Sequence, residues 1–251
     1  MDSKTFFENF ETIANAPGGI ARLRELILEL AVSGKLVPQR IGEKLISVVE
    51  ADGKYEIPNS WKWVKISTVS DFVNGFAFKS EEYIEDGIGI VRMSDLKLGQ
   101  IATQGMKRVP SKYLTTLDEN LRVSPGDLVI GMSGSIGKPC FNSTDETFLL
   151  NQRVGKFVPH SVEKKYLAIV LQTLERKFLE MSAGSGIKNL STKQIKDAEL
   201  PLPPQNEQER IVSKVDELMA LCNQLESELT HRRALEESIA RSLTASLFDY
   251  E

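Results

Sequence analysis

The stretch LPLPPQNEQERIVSKVDELMALCNQLESEL, Leu200 to Leu229, constrains what this chain can fold into more than any other. Pro201, Pro203 and Pro204 crowd together, and from Gln205 to Glu251 there is neither proline nor glycine. Proline removes a backbone donor and stops a helix, whereas the run after it contains nothing that would break one. Asn206 is a capping residue type and Glu209 stands three positions on, the spacing of a capping box. Ile211, Val215, Leu218, Cys222, Leu225 and Leu229 then recur at spacings of 4, 3, 4, 3 and 4. That is a heptad seam, which suits a helix packed on a partner helix. Its phase breaks at His231–Arg233 and resumes with Leu235, Ile239, Leu243 and Leu247. About 45 helical residues at 1.5 Å each reach ~65–70 Å, more than a compact domain can cover. Part of the seam must therefore meet another helix.

One such helix is predicted after Ala16–Gly19, where Ile20, Leu23, Ile27, Leu30 and Ala31 share a face until Gly34 ends it. The segment LRELILELAV from Leu23 also resembles LEESIARSLT from Leu235, with Leu23/Leu235, Glu25/Glu237 and Ile27/Ile239 coinciding. Leucine-rich helices match by chance, so this indicates two helical pieces of related type and no more. Between them, WKWVKIS, IGIVRMS, GDLVIGM and RVGKFV alternate with Gly, Asn, Ser and Asp, which are strand and turn signals. A helix is predicted over Glu163–Ser182 from Leu167, Val170, Leu171, Leu174 and Phe178. The expected fold is α+β: one mixed α/β domain at 45–204, an N-terminal helical segment at 1–44, and a long coiled-coil-forming helix at 205–251.

The chain is 41% hydrophobic and 26% charged, enough to bury a core, and no apolar run approaches the ~20 residues that span a bilayer. The amino terminus lacks the apolar core of a secretory signal, and Cys140 and Cys222 form no pair motif; both point to a reduced, cytoplasmic setting. Net charge is −4, distributed as 0 over 1–44, +1 over 45–204 and −5 over 205–251. The central region thus permits a local basic surface despite the overall acidity.

Catalytic signals are sparse. His160 and His231 are the only histidines, each in a setting that suits an exposed or structural role. There is no HExxH, no CxxC and no GxGxxG, and methyltransferase cofactor and base-flipping motifs are missing as well. No metal site is expected. GMSGSIGKP at Gly131–Pro139 approaches a phosphate-binding loop, but its glycines are one residue too far apart and Pro139 replaces the required hydroxyl. It reads equally well as a tight turn between strands. Its Ser133, Ser135 and Lys138 are donors suited to a phosphate backbone. NGFAFKSEEY places Lys79 and Ser80 beside aromatic residues of core type. Asn151, Gln152 and Arg153 in LLNQRVGKF are side chains that read adenine and guanine edges. SGIKNLSTKQIK, Ser185–Lys196, carries Lys188, Asn189, Ser191 and Lys193 without an acid.

Five segments, in order, resemble the specificity (S) subunit of type I restriction–modification systems: APGGIARLRELILELAVSGKLVPQ, NGFAFKSEEY, SPGDLVIGMSGSIGK, LLNQRVGKF and NLSTKQIKDAELPLPPQNEQERIV. The resemblance implies a target-recognition domain for double-stranded DNA, followed by a spacer helix that holds two such domains apart. A full subunit has two recognition domains; this length holds one. A half-length form would pair as a homodimer, with the Cys222 seam antiparallel on its mate, and would read a palindromic two-part site. The resemblance also implies no catalytic residue here. S-adenosylmethionine, ATP and Mg would belong to the modification and restriction subunits. It nominates Lys79, Ser80, Arg92, Ser94, Ser133, Ser135, Lys138, Asn151, Gln152, Arg153, Lys188, Asn189 and Lys193 for DNA contact. Arg22, Arg232 and Arg233, together with the seam, would serve partner subunits or the second copy. The competing readings are a coiled-coil scaffold protein without DNA-reading role and an enzyme whose acidic metal site is hidden in the fold.

Overall fold

A computed structural model describes residues 2–40, 42–43, 47–53, 55–133, 136–182 and 189–248, with side chains for all of these except 3 and 243–248. The chain opens with two short helices, α1 (Ser3–Glu8) and α2 (Phe10–Asn15), then α3 (Gly19–Val32). Strand β1 (Lys62–Lys65) leads through a single turn, α4 (Ile66–Val69), into β2 (Ser70–Asn74). Then come β3 (Ile88–Val91), β4 (Leu96–Lys97), β5 (Gln100–Ile101), β6 (Arg108–Val109), α5 (Tyr113–Thr116) and β7 (Arg122–Val123). Strands β8 (Leu128–Gly131), β9 (Pro139–Phe141), β10 (Phe148–Leu150) and β11 (Val154–Pro159) follow. The chain finishes with α6 (Lys164–Ser182), α7 (Thr192–Lys196), β12 (Glu199–Leu202) and α8 (Gln205–Phe248).

Every expected strand segment forms, as do the helices predicted around Leu23 and Leu167. The strands make a six-stranded sheet, β2-β11-β8-β9-β5-β4, a four-stranded sheet, β6-β3-β10-β7, and the pair β1-β12. The turn 151–153 carries the chain from β10 in one sheet to β11 in the other. Gly75 makes this crossing close: a Cβ there would stand 2.1 Å from the Asn151 carbonyl oxygen. The near phosphate loop connects β8 and β9, which pair antiparallel at Ile130 and Pro139; its Gly134 and Ser135 lie outside the described residues.

The largest core joins the three long helices to one face of the six-stranded sheet. Phe6, Leu23, Ile27, Leu30, Tyr166, Leu167, Leu171, Ile211, Leu218 and Cys222 all belong to it. Packing therefore does not follow the three segments of the chain, because α3 and the first half of α8 share their core with the sheet. Tyr166, fully buried, donates its hydroxyl to the Pro201 carbonyl at 2.7 Å and so ties α6 to the proline junction.

The start of α8 differs from the expected capping box. The helix begins at Gln205, so Asn206 lies inside the first turn. The Pro204 carbonyl accepts from the backbone of Glu207 and Gln208. Gln208, nearly inaccessible, spans the junction: its amide donates to the Pro203 carbonyl at 2.9 Å and accepts from Glu163 N at 2.7 Å. Gln208, in the first turn of α8, thus satisfies the Pro203 carbonyl and the Glu163 N–H ahead of α6, so one side chain ties both helices to the junction.

The seam of α8 is divided. Ile211, Val215, Leu218 and Cys222 are 0–4% exposed within the chain's own core, and Leu225 and Leu229 lie at its margin. The expectation that the Cys222 seam lies on a second copy is thereby corrected, because α3 and α6 already cover it. Arg24 on α3 fastens the pair further, with 2.8 Å and 2.7 Å bonds to Asn223 and Glu226. From Thr230 to Ser242 every residue is exposed. Leu235 and Ile239, at 50% and 59% exposure, are left without a covering helix. Leu243 and Leu247 fall among the side chains outside the description.

Candidate DNA-recognition surface

The candidate loops come together at one edge of the six-stranded sheet because backbone bonds pin each to its neighbour. Met132 N donates to the Arg153 carbonyl at 2.9 Å, and Leu190 N to the Met132 carbonyl at 2.8 Å. Ser133 and Asn189 form an antiparallel bridge. Phe76 N reaches the Leu150 carbonyl at 2.8 Å, and Gln152 N reaches the Phe76 carbonyl at 2.9 Å. Segments around residues 76, 132, 152 and 189, scattered in sequence, thus form one continuous margin.

On this margin Arg153 Nη1 donates to Asn189 Oδ1 at 2.8 Å. Met132, Ser133, Gln152, Arg153, Asn189 and Leu190 line an open depression of about 180 Å³. Gln152, Arg153, Asn189 and Lys193 are exposed, while Asn151 and Ser133 are partly covered. Alongside, Asn74 at the end of β2 and Thr192 at the start of α7 exchange hydrogen bonds of 2.6 and 2.9 Å. Neither was nominated from sequence. An asparagine after a strand and a threonine in a polar loop are too common to single out without their juxtaposition.

Lys79 and Ser80 are exposed on the loop after β2. Glu82 holds that loop by accepting from Lys79 N at 3.0 Å, and the Tyr113 hydroxyl donates to the same carboxylate. The Tyr113 bond, followed by that from Lys79, keeps the Glu82 carboxyl below its ordinary range. Phe78 is buried against Tyr113, in line with its core assignment, whereas Phe76 is 38% exposed.

Three nominated residues are engaged elsewhere. Arg92 Nε and Nη2 each bond Asp95 at 3.1 Å, and Ser94 Oγ bonds the same carboxylate at 3.0 Å. Asp95 is 4% exposed, so this is internal neutralisation of a buried carboxylate rather than a free donor pair. Arg92 and Ser94, both nominated for DNA contact, are thus held on Asp95. Lys138 is exposed but turned to α6, 3.6 Å from Glu175. Ser135 and Lys188 lie outside the described residues.

His160 and His231 are both exposed. Among the described residues no group of three or more His, Cys, Asp or Glu could hold a metal ion, and no helix is long and apolar enough to cross a membrane. Burial pushes the Cys140 thiol up to about 11 and raises the Cys222 thiol as well, which suppresses the thiolate forms.

The chain is 30% identical to the type I restriction enzyme EcoAI specificity subunit of Escherichia coli, over 94% of this chain and 46% of that protein. It is 31% identical to the EcoBI specificity subunit of Escherichia coli, over 71% of this chain and 36% of that protein. The chain spans less than half the length of these two relatives. The HsdS subunit of Thermoanaerobacter tengcongensis shares the fold, with a TM-score of 0.59 at 21% identity, over 90% of this chain and 52% of that one. Residues 58–232, most of the chain, match the profile of the type I restriction modification DNA specificity domain, and the protein belongs to that family.

Proposed function

We propose that this chain is the non-catalytic DNA-reading component of a type I restriction–modification complex. It would select the sequence on which modification subunits, carrying S-adenosylmethionine, and a restriction subunit, using ATP and Mg, then act. The observation that carries this reading is the meeting of loops around residues 76, 132, 152 and 189 on one margin, where Arg153, Gln152, Asn189 and Lys193 stand exposed. Phosphate contacts set register on a duplex and base-edge contacts specify sequence, and side chains of both kinds occur here.

We further propose that two copies pair through the distal half of α8 to read a palindromic, two-part site. Leu23 and Ile27 are fully buried on α3, while their counterparts in the related segment, Leu235 and Ile239, are half-exposed at the same spacing. A helix stripe with that pattern favours a second helix, and an isologous pair imposes two-fold symmetry on the target. A purely scaffolding role would also use this stripe, but it gives no purpose to the donor-lined margin. Light scattering across a concentration series tests the pairing. The expected mass is near twice 28.0 kDa for the chain and near 28.0 kDa for the Leu235→Asp/Ile239→Asp variant. A wild-type chain that stays monomeric at high concentration overturns the pairing.

A further inference from the structure

The margin holds a feature that the DNA-reading proposal does not assign. Among the described residues Arg153 has no carboxylate partner, unlike Arg92 on Asp95, Lys138 on Glu175 and Arg24 on Glu226. Its guanidinium uses one nitrogen on Asn189 Oδ1 at 2.8 Å. That bond orients the asparagine amide so that its nitrogen, a donor, is the group left over. Ser133 and Gln152 line the same depression, and neither side chain forms a hydrogen bond among the described residues. Among the described residues no acidic side chain is part of the lining. One cation, a hydroxyl and two amides among the described residues therefore line an open depression of about 180 Å³.

This donor set recognises an anion with acceptors on several sides. A guanine edge also presents acceptors, but it is flat and is read by the free fork of an arginine. Arg153 has already committed part of its fork to Asn189, and the remaining donors arrive from two strand ends and a loop. A tetrahedral phosphodiester can seat one face on such an open, donor-lined depression, and arginine is suited to bind it. The backbone of the site is fixed by the Met132–Arg153 and Leu190–Met132 bonds, so little ordering would be needed on binding.

We propose that the Arg153–Asn189 depression binds one backbone phosphate of the DNA duplex, so that Arg153 supplies sequence-independent affinity and Asn189 positions it. This rests on the DNA-reading function above and deepens it: Arg153 passes from the residues that read bases to those that hold the duplex in register.

The test is the salt dependence of binding by the full chain, alone and with modification subunits, to its selected duplex and to an unrelated duplex. Each phosphate neutralised by a cation contributes about one to the slope of log affinity against log salt. For Arg153→Ala the expected result is a slope shallower by about one and a roughly equal loss on both duplexes. Arg153→Lys should restore the slope. Asn189→Ala should weaken both duplexes equally, and Asn189→Asp, which keeps the acceptor for Arg153, should regain more of that loss on raising salt. Gln152→Glu, an exposed change that puts a carboxylate in the depression, should also weaken both duplexes. An unchanged slope in Arg153→Ala, or a loss confined to the selected duplex, overturns the phosphate site. So does displacement of the duplex by inorganic phosphate at matched ionic strength, which would mark a site for the free anion. A wild-type chain that binds neither duplex in either setting overturns the DNA-reading function itself.

Discussion

Asp95 shows how a single buried carboxylate determines which side chains are free to meet a partner. It accepts from Arg92 N at 2.9 Å, from both ends of the Arg92 guanidinium and from Ser94, and it is 4% exposed. Removing it strands a partly buried guanidinium and several donors, which costs more than the bonds themselves contribute. Asp95→Ala is expected to lose about 2–4 kcal/mol in urea unfolding, with Asp95→Asn recovering part of it by keeping an acceptor. A change below ~0.5 kcal/mol would place Asp95 outside the stabilising network. The tie was legible in one sense, since Arg92 and Asp95 are three apart in RMSD. Nothing in the letters showed that Asp95 is buried, and without that the arginine reads as a free cation. Arg153 is the converse case: its freedom from carboxylates appears only when the loops are brought together.

The long helix α8 shows what periodicity can and cannot convey. Spacing alone located α3, α6 and α8, because long amphipathic helices repeat their signal over several turns. It missed α1 and α2, six residues each, which are too short to show a period. It likewise could not order strands as short as β4, β5, β6 and β7, whose places depend on distant partners. A heptad stripe also reports that something covers the seam, not what; here the chain's own α3 and α6 cover the first half. The junction that aims α8 contains a buried glutamate with a testable pH signature. Burial raises the Glu207 carboxyl above its ordinary 4.5, against the opposing pull of Trp61 and of Gln39, whose amide donates to Oε1 at 2.6 Å. The Arg210 guanidinium, through a hydrogen bond, lowers the carboxyl of nearby Glu43. The signs are opposite. A raised carboxyl penalises the folded chain when ionised, so that penalty fades as pH falls through its folded value toward 4.5. A lowered one stabilises above the unfolded value of 4.5 and loses its effect only as pH falls through its own folded value. Glu207→Gln keeps an acceptor for Gln39 and removes the penalty. The variant should unfold at higher urea than wild type near neutral pH, with the gap closing on acidification toward 4.5. A variant less stable at neutral pH, or a gap that widens on acidification, would contradict the buried-carboxylate account of this junction.

The molecule joins the loop margin around residues 76, 132, 152 and 189 to a helix that runs beyond its own core. Forty-four residues of α8 at 1.5 Å each give ~66 Å, and the exposed stretch from Thr230 to Ser242 accounts for about 20 Å of it. The proline junction, with Gln208 bonded to Pro203 and Glu163, fixes the angle between margin and helix. On the proposed function, this arrangement would hold a recognition surface at a set distance from whatever the distal helix meets, as a two-part target requires. The family was legible in the order of five segments that resemble it; the composition of the margin was not, because its donors come from loops far apart in sequence. The central claim is that this chain chooses the DNA sequence while other subunits do the chemistry. A base-resolution map of DNA methylation by type I modification subunits, with and without this chain, tests it most directly. The expected result is methylation confined to one recurring two-part motif and dependent on the chain. Methylation scattered without a motif, or the same map in its absence, would contradict the claim.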